Sequence, residues 1–172
     1  TIYLLAEAPW ERERVEAEID AVLAREPDPV KWLDMMPFTR AAFEEALRLY
    51  PPAPSINREP IQPERWRDLD IVAKAAVLIM PWTVHRHRKL WDQPDAYMPE
   101  RFHPGNREKI DRYQYLPFGA GPRVCIGASF AMQEAVIGHR IYNGTQVSAY
   151  GNWIYRSIIG DTRHQYFAGL SF

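Results

Sequence analysis

Cys125 is the only cysteine in this 172-residue chain, and it stands in the stretch "LPFGAGPRVCIGASFAMQEAVI". Glycines at 119 and 121 let the backbone turn tightly there, and Pro122 stiffens it. The thiol comes just before a helix-forming run, where backbone N–H groups and the helix dipole stabilise a thiolate. Gly127 has no side chain, so a flat cofactor can approach the helix start. Arg123 offers a fork to a carboxylate. Together these properties suit a thiolate metal ligand. Three other readings stay open on residues alone. A lone cysteine is commonly a small buried hydrophobe. A Gly-x-Gly loop can cradle phosphate, although no clear strand precedes this one and no Lys-Ser/Thr follows. A nucleophilic thiol needs a histidine; His85, His87 and His103 are available, but nothing in the sequence places them nearby.

Four further charged residues have positions worth noting. Glu45 and Arg48 lie three apart and share a helix face, which by itself describes a solvated ion pair. Arg101 sits in Pro99-Glu100-Arg101-Phe102, by itself a surface turn. Arg58 lies in the extended run "SINREP".

The elements that must position these groups can be read from pattern and punctuation. Residues 1–8 end a helix that stops at Pro9, and residues 10–25 form a second, with Val15, Ile19, Val22 and Leu23 at helical spacing. "PFTRAAFEEALRLYPP" predicts a third helix, with Thr39 as N-cap, Phe43, Leu47 and Tyr50 on one side, and two prolines as its stop. Between 54 and 80, short β-type runs predict a small sheet. The run "AKAA" in this region contains no glycine. Residues 83–115 are broken by Pro94, Pro99 and Pro104, which predicts a long ordered meander.

Bulk composition narrows the function. There are 21 basic and 22 acidic residues, a formal net charge of -1, without the basic excess expected of a nucleic-acid binder. One cysteine makes no internal disulfide. The apolar run at 75–82 is strand-sized, far short of the roughly 20 residues of a membrane span. The opening residues read as a piece of a longer helix, and the chain as part of a longer protein.

The cysteine stretch resembles the haem-binding signature of the cytochrome P450 family, Phe-x-x-Gly-x-Arg-x-Cys-x-Gly. Phe118, Gly121, Arg123, Cys125 and Gly127 fill its fixed positions, and Gly119 lies within it. Glu45-Ala46-Leu47-Arg48 and Pro99-Glu100-Arg101-Phe102 resemble two further motifs of that family, in matching order. The resemblance covers residues 1–137. It implies a mostly α fold with a small β-sheet region, the C-terminal haem-binding part of the cytochrome P450 fold. It also implies haem b (iron protoporphyrin IX) as cofactor, with Cys125 thiolate ligating the iron and favouring O–O cleavage. Phe118 would cover the sulfur's side, Arg123 and Arg58 would meet the propionates, and Glu45, Arg48 and Arg101 would form a buried scaffold. Two guanidiniums around one carboxylate leave excess positive charge, so backbone carbonyls must complete that cluster.

The activity so implied is monooxygenation of a small organic substrate by O2. Electrons would come from a separate partner, a ferredoxin or flavoprotein reductase, in a cytoplasmic setting with no membrane segment visible. A haem-dependent isomerase or dehydratase of the same fold is one rival, and a truncated haem-binding fragment without catalysis is another. Residues 138–172 depart from the family pattern at Gly138, Asn143-Gly144 and Gly151. They are expected to form an atypical tail, frameshifted or poorly ordered.

Overall fold

The computed structural model describes residues 1–143. Helices α1 (Ile2–Glu7) and α2 (Pro9–Leu23) are separated at Ala8, because Pro9 brings no N–H to continue the first ladder yet suits the first position of the next. Val15, Ile19 and Val22 are buried on one side of α2, at spacings of four and three, while its other faces are charged. A 3-10 turn (Pro29–Lys31) leads into the short α3 (Trp32–Met35), whose Trp32 is buried and donates its indole N–H to the Glu26 carbonyl at 3.0 Å.

Helix α4 (Pro37–Leu49) is the centre of the molecule and is buried along most of its length. Phe38 and Ala42 join a cluster with Leu5, Ile19, Trp32 and Val136, whereas Ala41 and Leu47 join a second with Trp91, Phe102 and Tyr115. Each large aliphatic side chain so buried contributes about 1.5–3 kcal/mol. Tyr50, expected on the same side as Phe43 and Leu47, is exposed, because it follows the helix as its C-cap with non-helical φ −130.

The start of α4 also differs from the sequence expectation. Thr39 is not the N-cap. The helix begins at Pro37, after Met36, and no residue of its own caps it by a side chain. Glu18 of α2 does so instead: one carboxylate oxygen accepts from Phe38 N–H at 2.9 Å, and the other from Thr39 N–H and from the Thr39 hydroxyl, both at 2.7 Å. A carboxylate at a helix N-terminus satisfies free donors and meets the positive end of the dipole.

Two small antiparallel sheets follow. β1 (Ile56–Arg58) pairs with β4 (Val77–Ile79), Ile56 opposite Ile79 and Arg58 opposite Val77. β2 (Glu64–Trp66) pairs with β3 (Leu69–Ile71) as a hairpin, with Arg65 facing Asp70. In the turn between β3 and β4, where a glycine would be natural, Lys74 takes φ +61, and its N–H donates to the Pro60 carbonyl at 2.9 Å. After α5 (Pro81–Val84), residues 85–117 meander over the end of α4 through 3-10 turns at Pro99–Phe102 and Arg107–Lys109. The chain then forms the cysteine loop and α6 (Ala128–Asn143), which runs on through Gly138. Of the tail expected to be atypical, residues 144–172 lie outside the described residues. Among the described residues, no helix is long and apolar enough to cross a membrane.

Glu18→Ala should lower stability by about 1–2 kcal/mol through loss of the α4 cap. Urea unfolding followed by circular dichroism measures this, and an unchanged midpoint would show that the inter-helix cap contributes nothing.

Candidate functional site

Arg48 is fully buried at the C-terminal end of α4, and all five of its N–H donors are used. Nε and Nη2 grip Glu45 in a two-pronged contact, at 2.7 and 2.9 Å. Nη1 donates to the carbonyls of His85 and Pro94 at 2.7 and 2.6 Å, and Nη2 also donates to that of Ala96 at 3.1 Å. Glu45, itself fully buried, additionally accepts Met98 N–H at 2.9 Å and Arg101 Nε at 3.3 Å. Arg101 is largely buried and turns its other end to the Gln93 carbonyl, 2.9 Å from Nη2. Glu100 of the same turn pairs with Arg14 of α2. One carboxylate and two guanidiniums are therefore completed by backbone carbonyls drawn from residues 85–96. Buried charges persist only when their remaining donors and acceptors are filled in this way.

His85 is fully buried beside this cluster. Its Nδ1 lies 3.2 Å from the Arg48 carbonyl, and its Nε2 accepts Leu116 N–H at 2.7 Å. Burial, reinforced by the charges of Arg48 and Arg86 and opposed by the bond to the Arg48 carbonyl, pushes its pKa down to about 4. Tyr115 packs its ring against the imidazole at 5.3 Å and donates its hydroxyl to the Glu44 carbonyl at 2.9 Å. Glu44 is also buried, which raises its pKa, and Arg107 at 3.5 Å partly offsets that rise.

The cysteine loop leaves this interior and turns outward. Gly119 and Gly121 adopt φ +77 and +72, conformations that favour glycine, and a 3-10 turn (Gly121–Arg123) carries the chain to Cys125. The Cys125 N–H donates to the Phe118 carbonyl at 2.9 Å, and its own carbonyl accepts Ala128 N–H at 3.3 Å as α6 begins. The thiol is free and exposed. A methyl group added at Gly127 would stand 3.8 Å from its sulfur, so the missing side chain leaves the approach to Sγ open. Val124, Ile126 and Phe130 are exposed beside it, Ile126 completely. Phe118 is half-buried against the second core cluster. Arg123 is exposed, with no hydrogen bond or ion pair among the described residues. Among the described residues, the Arg58 side chain donates only to the Asn57 carbonyl, at 2.8 Å. Ile56, two residues from Arg58, comes within 3.6 Å of where a Cβ on Gly119 would lie. Alternate residues of a strand share a face, so Arg58 stands on the side of β1 that meets the loop.

These contacts divide the expected residues into two groups. Glu45, Arg48 and Arg101 meet in one buried cluster. Gly119, Arg123, Cys125, Gly127 and Arg58 belong to an open face that carries a thiol, two cations without acid partners among the described residues and exposed apolar side chains, with Phe118 half-buried against the second core cluster. Among the described residues no three His, Cys, Asp or Glu side chains converge as a metal site. A porphyrin is a carrier that brings its own donors to a metal and needs one more from the protein. The residues fit such a group: one soft donor, an unobstructed approach, apolar contacts and cations for peripheral carboxylates.

Sequence reasoning missed His85 as a structural residue and missed Glu18 altogether. His85 lies in "HRHRK", a run that reads as a solvated charged face, and nothing local marks one member as buried. As for the thiol's histidine partner, both ring nitrogens of His85 are occupied in the interior. His87 is exposed and accepts Lys89 N–H, and His103 packs against Phe38 at 6.3 Å.

Comparison with known proteins gives a consistent result. The family model described as Cytochrome P450 matches residues 1–139. The chain is 39% identical over 120 residues to Cytochrome P450 3A27 of Oncorhynchus mykiss, covering 69% of this chain and 23% of that protein. It is 37% identical over 137 residues to Cytochrome P450 4F2 of Homo sapiens, and 36% identical over 137 residues to Leukotriene-B4 omega-hydroxylase 3 of Mus musculus. Each of these matches covers 77% of this chain and 26% of the relative. The chain thus spans about a quarter of the length of these curated relatives.

Glu45→Gln should cost about 3–5 kcal/mol, because it leaves the Arg48 charge buried with carbonyl dipoles alone. Arg48→Lys should be comparably damaging, since three donors on one nitrogen cannot meet five acceptors in a plane. Denaturant midpoints would measure both, and a Glu45→Gln change within about 1 kcal/mol of the parent would refute the assignment.

Proposed function

Because this chain belongs to the cytochrome P450 family, we propose that it is the C-terminal, haem-binding part of a haem-thiolate monooxygenase, with Cys125 as the protein's ligand to iron. The observation that carries this reading is the open approach to the Cys125 sulfur over Gly127, on a face where Arg123 and Arg58 have no acid partner among the described residues. When bound, haem b supplies the oxygen-activating redox chemistry. Cys125 presents its thiolate, oriented by the bond from its N–H to the Phe118 carbonyl. Arg123 and Arg58 receive the propionates, and Val124, Ile126 and Phe130 give apolar contact to a flat group. Phe118 limits water on the sulfur's side. Glu45, Arg48 and Arg101 take no part in proton transfer; they hold the frame from which the loop projects.

The reaction is insertion of one oxygen atom of O2 into a small organic substrate. The hydroxylase name of one relative supports this class of reaction. Electrons come from a separate ferredoxin or flavoprotein reductase. The described part of the chain presents the thiolate face of such a centre and little that could enclose a substrate, so turnover belongs to the longer parent protein.

Titrating the full 172-residue chain with haem, then reducing it under carbon monoxide, should give a thiolate-type Soret band at one haem per chain. Cys125→Ser should keep the far-ultraviolet dichroism of the parent and lose that band. An identical spectrum from the serine variant would remove Cys125 as ligand, and failure of the parent chain to take up haem would count against the site as a whole.

A further inference from the structure

We infer that His85 is a positioning residue that ties the cysteine loop to the Glu45–Arg48 cluster, its two ring nitrogens holding the Leu116 amide and the Arg48 carbonyl. The geometry fixes how it does so. Leu116 N–H donates to Nε2 at 2.7 Å, so Nε2 must carry a lone pair. The proton then sits on Nδ1, 3.2 Å from the Arg48 carbonyl oxygen, where it has an acceptor. The ring is neutral, with a single tautomer, and no water reaches it because it is fully buried. The other side of the same residue is tied down as well: the His85 carbonyl accepts Arg48 Nη1, and its N–H donates to the Pro81 carbonyl at 2.8 Å. From Leu116 the connection continues into the loop, since the Leu116 carbonyl accepts Gly119 N–H at 3.2 Å and the Phe118 carbonyl accepts Cys125 N–H at 2.9 Å. A line of hydrogen bonds and one short stretch of backbone thus runs from the buried guanidinium to the thiol-bearing residue, with the imidazole as its one titratable link. This concerns how the loop is attached and stands whether or not Cys125 carries haem.

Protonation would break the link. A charged imidazole has donors on both nitrogens, so Nε2–H would face Leu116 N–H, donor against donor. The charged and titratable groups around the ring give the cation no relief. Arg48 approaches from α4, Arg86 follows in the same turn, and Tyr115 packs from the segment before the loop with its hydroxyl committed to the Glu44 carbonyl. Glu45, a buried carboxylate of the same cluster, is engaged by Arg48, Arg101 and the Met98 amide. The folded chain therefore resists taking up this proton until about pH 4, whereas an unfolded histidine takes it up near its ordinary 6.5. Between those values the unfolded state binds more protons. The His85 contribution to stability is complete above about pH 6.5 and declines as the pH falls toward 4.

Amide hydrogen exchange in the full 172-residue chain tests this directly, with rates corrected for the intrinsic pH dependence of exchange. The Leu116 amide should lose protection by at least about tenfold between pH 6 and pH 4, while the amides of α2 stay protected. His85→Gln keeps one donor and one acceptor and should preserve Leu116 protection without the acid step. His85→Leu should lose that protection at every pH. Retention of the acid step in the Gln variant, or simultaneous loss of protection in α2, would overturn the inference. Should neither variant fold, nitrogen-15 spectroscopy of the parent imidazole decides: a neutral ring protonated at Nδ1 is required, and one protonated at Nε2 excludes the bridge.

Discussion

Removing a guanidinium from water is among the most expensive operations a small protein performs, with a penalty of several kcal/mol even after relaxation. Arg48 is buried without remainder, so its surroundings have to answer every one of its donors. One carboxylate from its own helix answers two, and three carbonyls from a distant meander answer the rest. That requirement explains why residues 85–98 follow so irregular a path. Regular secondary structure would commit those carbonyls to its own ladder, whereas the turns and bends of this stretch, with Pro94 among them, leave them free to point at α4. The meander is shaped by the acceptors it must present.

The same chain treats polarity in opposite ways on two sides. Around α4 the charged donors and acceptors are matched in dry surroundings, where each bond gains strength from its neighbours and any gap would be costly. Around Cys125 a thiol and several large apolar side chains face outward, with two guanidiniums that have no acid partner among the described residues. Large apolar side chains grouped on a surface usually mark a place where something binds. The rigid cluster and the open loop lie back to back, with Leu116 and His85 between them.

How much of this could be read beforehand depended on the range of the interactions. Glu45 with Arg48 is a helical i, i+3 pair, and the cysteine loop is one continuous run, so both were visible in short windows. Arg101 could be associated with Glu45 only through the family resemblance, since nothing in a proline-broken stretch fixes where its arginine ends up. Thr39 misled because a threonine near a helix start is a sound local cap signal; the carboxylate that caps α4 comes from Glu18, some twenty residues earlier and on another helix. His85 was concealed by its neighbours, whose charges described the exposed side of the turn and not the side that faces inward. Lys74 shows the reverse case. The absence of glycine was legible, but the chain's answer to it was not: a lysine held at positive φ by a bond to Pro60.

The spacing of Arg48's partners has a consequence for the order of assembly. The carbonyls it needs belong to residues 37, 46 and 48 positions further along, and the arginine that shares its carboxylate lies 56 positions beyond Glu45. Loops of that length must close before those acceptors arrive, and closure is entropically uphill until contacts repay it. Until then the guanidinium has to stay hydrated. The end of α4 can therefore form as a helix early but can dry only late, and a fully buried charge marks one of the last places from which water departs.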